Sequence, residues 1–240
     1  EILFAIGAGD WVVAVDDQSN FPVGTPVTDL SGYTPNVEAI ASYAPDLVVV
    51  SYDPGDLVAG LEALGVATLI QPAASSIEDT YYQVLELGKA TDRSDQAIKV
   101  NDRIQRGLSE LASSQIGVGL SYYHEVDNTF YSTTSSTFLG QLYGLLGLSN
   151  IADSVDEAGF GWPQLSAEFI VDADPDLVFL GDSAWGESAE TVAARPGWGT
   201  MTAIRNGRVF PVDTDMSGRW GPRVVEFLAS VQKAIEGQRG

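Results

Sequence analysis

Few residues in this chain are placed to do covalent chemistry. Its one histidine, His124, stands beside Glu125 with Asp127 close by, which raises the question of a metal site. A lone histidine, with no second histidine and no cysteine, makes a poor transition-metal cage, so no metal site is expected; a loop hydrogen bond is favoured there over an axial or peripheral contact to a metal-containing ligand. No Gly-X-Ser-X-Gly elbow, phosphate-binding loop or His/Cys/Asp cluster is present, so no catalytic residue is assigned and no enzyme is expected. Gly7-Ala-Gly9 is too short and wrongly placed for a dinucleotide fingerprint. The residues suited to binding are more numerous. Phe21, Tyr52, Tyr123, Tyr131, Trp162 and Trp185 fall where strands give way to loops, the usual lining of a ligand site in an α/β lobe. Aromatic walls suit a large flat ligand, because each ring buries much area while losing little rotamer freedom. The competing reading is that these rings pack cores, and Trp162, between Gly161 and Pro163, escapes it best. Asp215 and Arg219 are spaced to share one helical face, offering a carboxylate for N–H donors and a fork for ligand oxygens, or else a surface ion pair of little weight.

The elements that must position these residues are marked by a repeat. Residues 36–50 recur as 166–180: a capping residue (Asn36, Ser166), a glutamate two positions on (Glu38, Glu168), an apolar helix face, a proline (Pro45, Pro175), then Asp-Leu-Val entering an apolar strand. Two copies of one helix–turn–strand unit predict two similar lobes with a cleft between them. Around the copies the pattern predicts a helix over 1–9, strands over 11–15, 47–50, 66–70, 118–123 and 208–212, and helices over 57–64, 77–89, 94–112, 136–146 and 222–235. In the helix over 94–112, Ser94 is read as the cap, and Ile98, Ile104, Leu108 and Leu111 as the apolar positions. The expected fold is therefore α/β: two Rossmann-like lobes with mostly parallel sheets joined by a long rigid α-helix. The boundaries expected are 1–93, a connecting helix over 94–114, and 115–240. Such a connector predicts little lobe motion on binding.

The bulk numbers agree. A chain of 240 residues accommodates two lobes, and 45% apolar residues can fill their cores. No apolar run reaches the roughly 18–20 residues that cross a bilayer. A net charge of −21 disfavours nucleic acid and anionic lipid as partners. The absence of cysteine removes disulfides and thiol chemistry together.

The paired Glu-X-Ile-X4-Pro-Asp-Leu-Val units, the stretch Phe138-Leu-Gly-Gln-Leu through Asp153, and Ala203-Ile-Arg-Asn-Gly-Arg-Val-Phe-Pro-Val-Asp213 resemble the helical-backbone class of ABC-importer substrate-binding proteins. That class carries ferric siderophores, haem or cobalamin. The likeness covers the whole chain apart from a first strand, which the class pattern would place before Glu1. Trp162-Pro-Gln and the Asp215-X3-Arg219 segment are similar to stretches lining the corrinoid cleft in cobalamin-binding members. The resemblance thus implies a corrinoid as ligand, with a ferric siderophore as the alternative and haem third, and no intrinsic cofactor. Few basic residues among many aromatics weigh against a strongly anionic chelate. It also implies that Glu38 and Glu168, one from each lobe, dock on the membrane subunits of the importer, where equivalent places in a repeat suit a two-fold receptor. In the first turn of a helix a glutamate also favours the macrodipole whatever its function. A monomer is expected outside the cytoplasm, either free in a periplasm or held to the membrane only by a lipid anchor on a segment preceding this chain. A two-lobed Rossmann-like enzyme is the rival from another class, and a scaffold that has lost its ligand a third reading.

Overall fold

The computed structural model describes residues 1–157 and 159–237. The chain divides into two compact units, Glu1–Ala74 with Asp79–Asn101, and Ser75–Glu78 with Asp102–Gly240. The division falls inside the helix Ser94–Ala112, whose first part groups with one unit and the rest with the other.

In the N-terminal unit the first repeat folds as its pattern requires. Asn36 accepts the Ala39 N–H at 2.8 Å and opens the helix Val37–Ala41, and strand β1 (Leu47–Val50) follows Pro45. Strand β2 (Ala67–Ile70) pairs with β1 in parallel, Leu47 opposite Ala67 and Val50 opposite Ile70. The crossover helix Leu57–Ala63 buries Leu57 and Leu61, four residues apart on one face. Gly60 lets it approach the helix Val37–Ala41, since a Cβ there would lie 2.7 Å from Val37 Cγ2. Further along, helix Ile77–Ala90 packs on helix Ser94–Ala112 at Gly88, where an added Cβ would meet Ala97 at 2.4 Å.

Three expectations need correction. Residues 11–15 form no strand. Gly9–Trp11 is a 3-10 turn, Trp11 is 55% exposed beneath the Arg93 guanidinium, and Val15 makes only a single bridge to Val27. A run of apolar residues becomes a buried strand only where a partner strand lies along it, and among the described residues the pairing is limited to that bridge at Val15. In helix Ser94–Ala112 the buried stripe is Ala97, Val100, Asn101, Ile104 and Leu108, spaced three, one, three and four apart. Ile98 lies outside that stripe and is half exposed. The strand expected over 118–123 begins later, at Ser121, because Gly119 turns the chain with φ +82°.

The C-terminal unit is a parallel four-stranded sheet in the order β4-β3-β5-β6, with β3 Ser121–Glu125, β4 Ser149–Asn150, β5 Leu177–Leu180 and β6 Val209–Pro211. Alternation along β3 sends Tyr122 and His124 to one face and Tyr123 and Glu125 to the other. On the first face Tyr143 stacks on Phe179, with ring centroids 4.9 Å apart, and meets Phe227 edge-on. On the second, Tyr123, Val178 and Leu180 pack with Ile170, Val192 and Trp198. Helices therefore cover both faces, as an all-parallel sheet demands. The second repeat follows its pattern too: Ser166 accepts the Phe169 N–H at 3.1 Å at the start of helix Ala167–Ala173, and β5 follows Pro175.

Candidate functional site

The chain leaves β3 for β4 on one side of the sheet and then returns to place β5 on the other. The order of connection thus reverses between β3 and β5, and in open parallel sheets the crevice beyond the carboxyl ends of such a pair is where ligands bind. Glu125 is the last residue of β3, and Asp182 lies just past the end of β5. Glu125 is fully buried and is met by Arg195, which follows the helix Ala189–Ala193, through two contacts of 2.6 Å. The same guanidinium donates to Glu187 at 2.8 Å and lies over the Trp198 ring, 4.6 Å from its centroid. Burial opposes the charge on Arg195, but its bonds to Glu125 and the field of both glutamates hold its pKa above the ordinary arginine value. Glu187 is kept below the usual glutamate range, first by the Thr191 hydroxyl and then by Arg195. Asp182 goes the other way: burial, then the nearby Glu125 carboxylate, push its pKa up to about 7. His124, on the opposite face, bonds the Tyr143 hydroxyl at 3.0 Å, and burial lowers its pKa to about 4, so it is neutral at physiological pH.

Above this cluster the loops are tied to one another. The Ser132 N–H donates to Pro163 O, the Thr134 N–H to Gly161 O, and the Leu165 N–H to Phe130 O, each within 2.9–3.0 Å. The Asp156 carboxylate accepts the Phe160 and Gly161 N–H groups at 3.1 and 2.7 Å. Gly161 is required where it stands: φ is +83°, and a Cβ would come within 2.6 Å of Thr137 Cγ2. Four aromatic side chains stand outward from these loops and from the turn after β5: Tyr131, Phe160 (82% exposed), Trp162 (50%) and Trp185 (76%). Large apolar rings held in solvent by hydrogen-bonded backbone are a prepared contact surface.

Of the residues picked out from sequence, Tyr131, Trp162 and Trp185 share this edge. Tyr123 does not. It is fully buried, edge-on to Trp198, with its hydroxyl donating to Glu125 at 3.2 Å, because its place in β3 turns it into the core. Phe21 and Tyr52 belong to the N-terminal unit, where Tyr52 follows β1 and donates its hydroxyl to Tyr33 O at 3.0 Å. Asp215 and Arg219 do meet, at 2.7 Å, around the short helix Thr214–Ser217. Glu38 and Glu168 are exposed, each in the first turn of its repeated helix. Among the described residues no three His, Asp or Glu side chains are grouped so as to hold a metal ion. Sequence reasoning passed over Phe160, Asp182, Glu187 and Arg195. One signal for Arg195 was present: a glutamate two positions past Tyr123 on a strand calls for a cation if that face is buried, and the chain has only twelve lysines and arginines.

Comparison with known proteins is consistent across sequence and fold. Residues 1–216 match the family described as periplasmic binding protein. An uncharacterized ABC transporter substrate-binding lipoprotein of Bacillus subtilis is 29% identical over 98% of this chain and 76% of its own length. A cobalamin-binding protein of Halobacterium salinarum is also 29% identical, over 98% of this chain and 66% of its own. The crystal structure of a possible iron-binding, periplasmic solute-binding protein of Staphylococcus epidermidis superposes with a TM-score of 0.83 at 26% identity, covering 98% of this chain and 94% of that one.

Proposed function

Because this chain belongs to the periplasmic binding protein family and is a substrate-binding protein of an ABC importer, not an enzyme, we propose that its cargo is a large metal chelate with a flat face, a corrinoid before all others. The observation that carries the reading is the aromatic edge of the C-terminal unit. Tyr131, Phe160, Trp162 and Trp185 stand exposed on tied loops beyond the ends of β3 and β5. Such a surface gains by covering a broad, weakly polar ring system and offers little to a small sugar or amino acid. The charge balance agrees. Arg195 is already committed to two glutamates, so it is not available to neutralise an anionic chelate. Asp215 and Arg219 are paired with each other at 2.7 Å but stay 41% and 30% exposed, so in this reading they offer a carboxylate oxygen and guanidinium N–H groups to the amide groups at a corrinoid's rim. The 29% identity to a cobalamin-binding protein supports the same choice.

In this reading Glu38 and Glu168 meet basic residues on the importer's membrane subunits, and the protein works on the outer side of the cell membrane. Among the described residues no helix is long and apolar enough to cross a membrane.

The test is calorimetric titration of ligand-stripped protein with cyanocobalamin, with a neutral ferric siderophore and haem as parallel arms. Tight one-to-one binding of cyanocobalamin supports the proposal. Binding in either of the other arms with no heat from cyanocobalamin replaces the corrinoid by that chelate.

A further inference from the structure

Asp182 is 4% exposed, and both of its carboxyl oxygens are buried without a hydrogen-bond partner. A buried carboxyl in that condition is costly unless it is neutral or can reach water. It begins the turn that carries Trp185, whose N–H donates back to Asp182 O at 2.8 Å. That turn is held at three points: Ser183 Oγ donates to Val212 O at 3.3 Å, Thr191 Oγ1 to Glu187 at 2.7 Å, and Arg195 Nη2 to Glu187 at 2.8 Å. The charged and titratable groups acting with Asp182 are Tyr123 and Glu125 from β3, Glu187 from its own turn, and Arg195. One guanidinium therefore faces three carboxyl groups.

We propose that Arg195 is a positioning residue for the turn bearing Trp185, and that a proton on Asp182 governs its grip. With the proton in place, Arg195 serves both Glu125 and Glu187, only one negative charge is left over, and the turn stays closed. Without it, a second uncompensated negative charge sits in a buried space, and the turn relieves it by moving Asp182 toward water, which draws Glu187 off Arg195. The sign follows from the two proton affinities. In the closed turn Asp182 keeps its proton to about pH 7, whereas an open, solvated aspartate loses it near about pH 4. The closed turn therefore has its full advantage below about pH 4, loses it progressively as pH rises toward about 7, and has none left above that. His124, neutral across this range, lies on the other face of the sheet and does not contribute.

The experiment is amide hydrogen exchange on the intact, ligand-free protein at about pH 5.5 and about pH 8.5, read as protection factors corrected for intrinsic exchange. Protection over residues 183–188 is expected to fall about tenfold at the higher pH, while β3 and β5 amides hold. Asp182→Asn is expected to keep the turn protected at both pH values, and Glu187→Gln to leave it loose at both. Equal protection of the wild-type turn at the two pH values overturns the proposal, as does a pH dependence that survives in Asp182→Asn. Should that variant fail to fold, the wild-type carboxyl resonance decides: a midpoint near about 7 supports the clamp, and one near about 4 overturns it. The consequence for cargo rests on the function proposed above. Exchange that behaves as expected, with cargo affinity independent of pH, upholds the clamp and removes Trp185 from the cargo surface.

Discussion

Arg195 closes a two-pronged ion pair on Glu125, 70 residues away along the chain, with both nitrogen–oxygen contacts at 2.6 Å. The glutamate is fully buried and the arginine side chain 15% exposed, and the pair joins the end of β3 to the segment that packs Trp198 into the core. It is the charged floor beneath the exposed aromatic edge.

Removing one partner leaves the other charge buried and unpaired. Arg195→Met is expected to destabilise the fold by about 3–5 kcal/mol, read from the midpoint of denaturant unfolding. Arg195→Met with Glu125→Gln is expected to recover part of that loss. A double variant no more stable than the single one would assign the cost to lost packing on Trp198 and not to the orphaned carboxylate.

Exposed and buried aromatics are expected to separate cleanly by what they change. Trp162→Ala lowers cargo affinity by about tenfold with little effect on stability, because its ring stands half in solvent. Tyr123→Phe leaves affinity unchanged and costs about 1 kcal/mol of stability, through its lost bond to the buried Glu125. Titration calorimetry and thermal melts on the two variants give both readouts.

Glu38 and Glu168 each occupy the first turn of a helix and are exposed. Their joint replacement by alanine is expected to cost under about 1 kcal/mol each, the usual worth of a macrodipole contact. Cargo affinity is expected to stay unchanged while uptake through the importer is abolished. Transport at the wild-type rate in a reconstituted system would end the docking assignment.

A net charge of −21 on 240 residues works against the compact state by self-repulsion. The screening length falls from about 10 Å at 0.1 M salt to about 3 Å at 1 M. The thermal midpoint is therefore expected to rise by several degrees over that range of potassium chloride. A falling midpoint would mean that screening of ion pairs such as Arg195 with Glu187 outweighs the relief of repulsion.

Much of the fold was legible because it is local. Caps, prolines and apolar faces within residues 36–50 and 166–180 determine two helix–turn–strand units, and both form where the pattern puts them. Trp162 was legible for the same reason, since its flanking glycine and proline force a loop. The period of three and four residues in helix Ser94–Ala112 was visible, but which stripe faces inward depends on the neighbouring helix, and Ile98 was misplaced accordingly. Residues 11–15 show the limit from the other side: their composition suits a strand, yet among the described residues only Val15 is bridged and Trp11 is 55% exposed.

By itself the sequence determined the α/β class, the repeat, the acidic composition and three of the four exposed aromatic residues at the ends of β3 and β5, Tyr131, Trp162 and Trp185. Only the tertiary structure decided that Tyr123 belongs to the core while Glu125, two positions on in the same strand, is buried at the strand's end, and that Arg195 is the group that answers it. The reason is physical. Turns, caps and periodicities are set by contacts a few residues apart, whereas the partner of a buried charge is whatever the sheet order brings beside it, and no spacing along the chain encodes that.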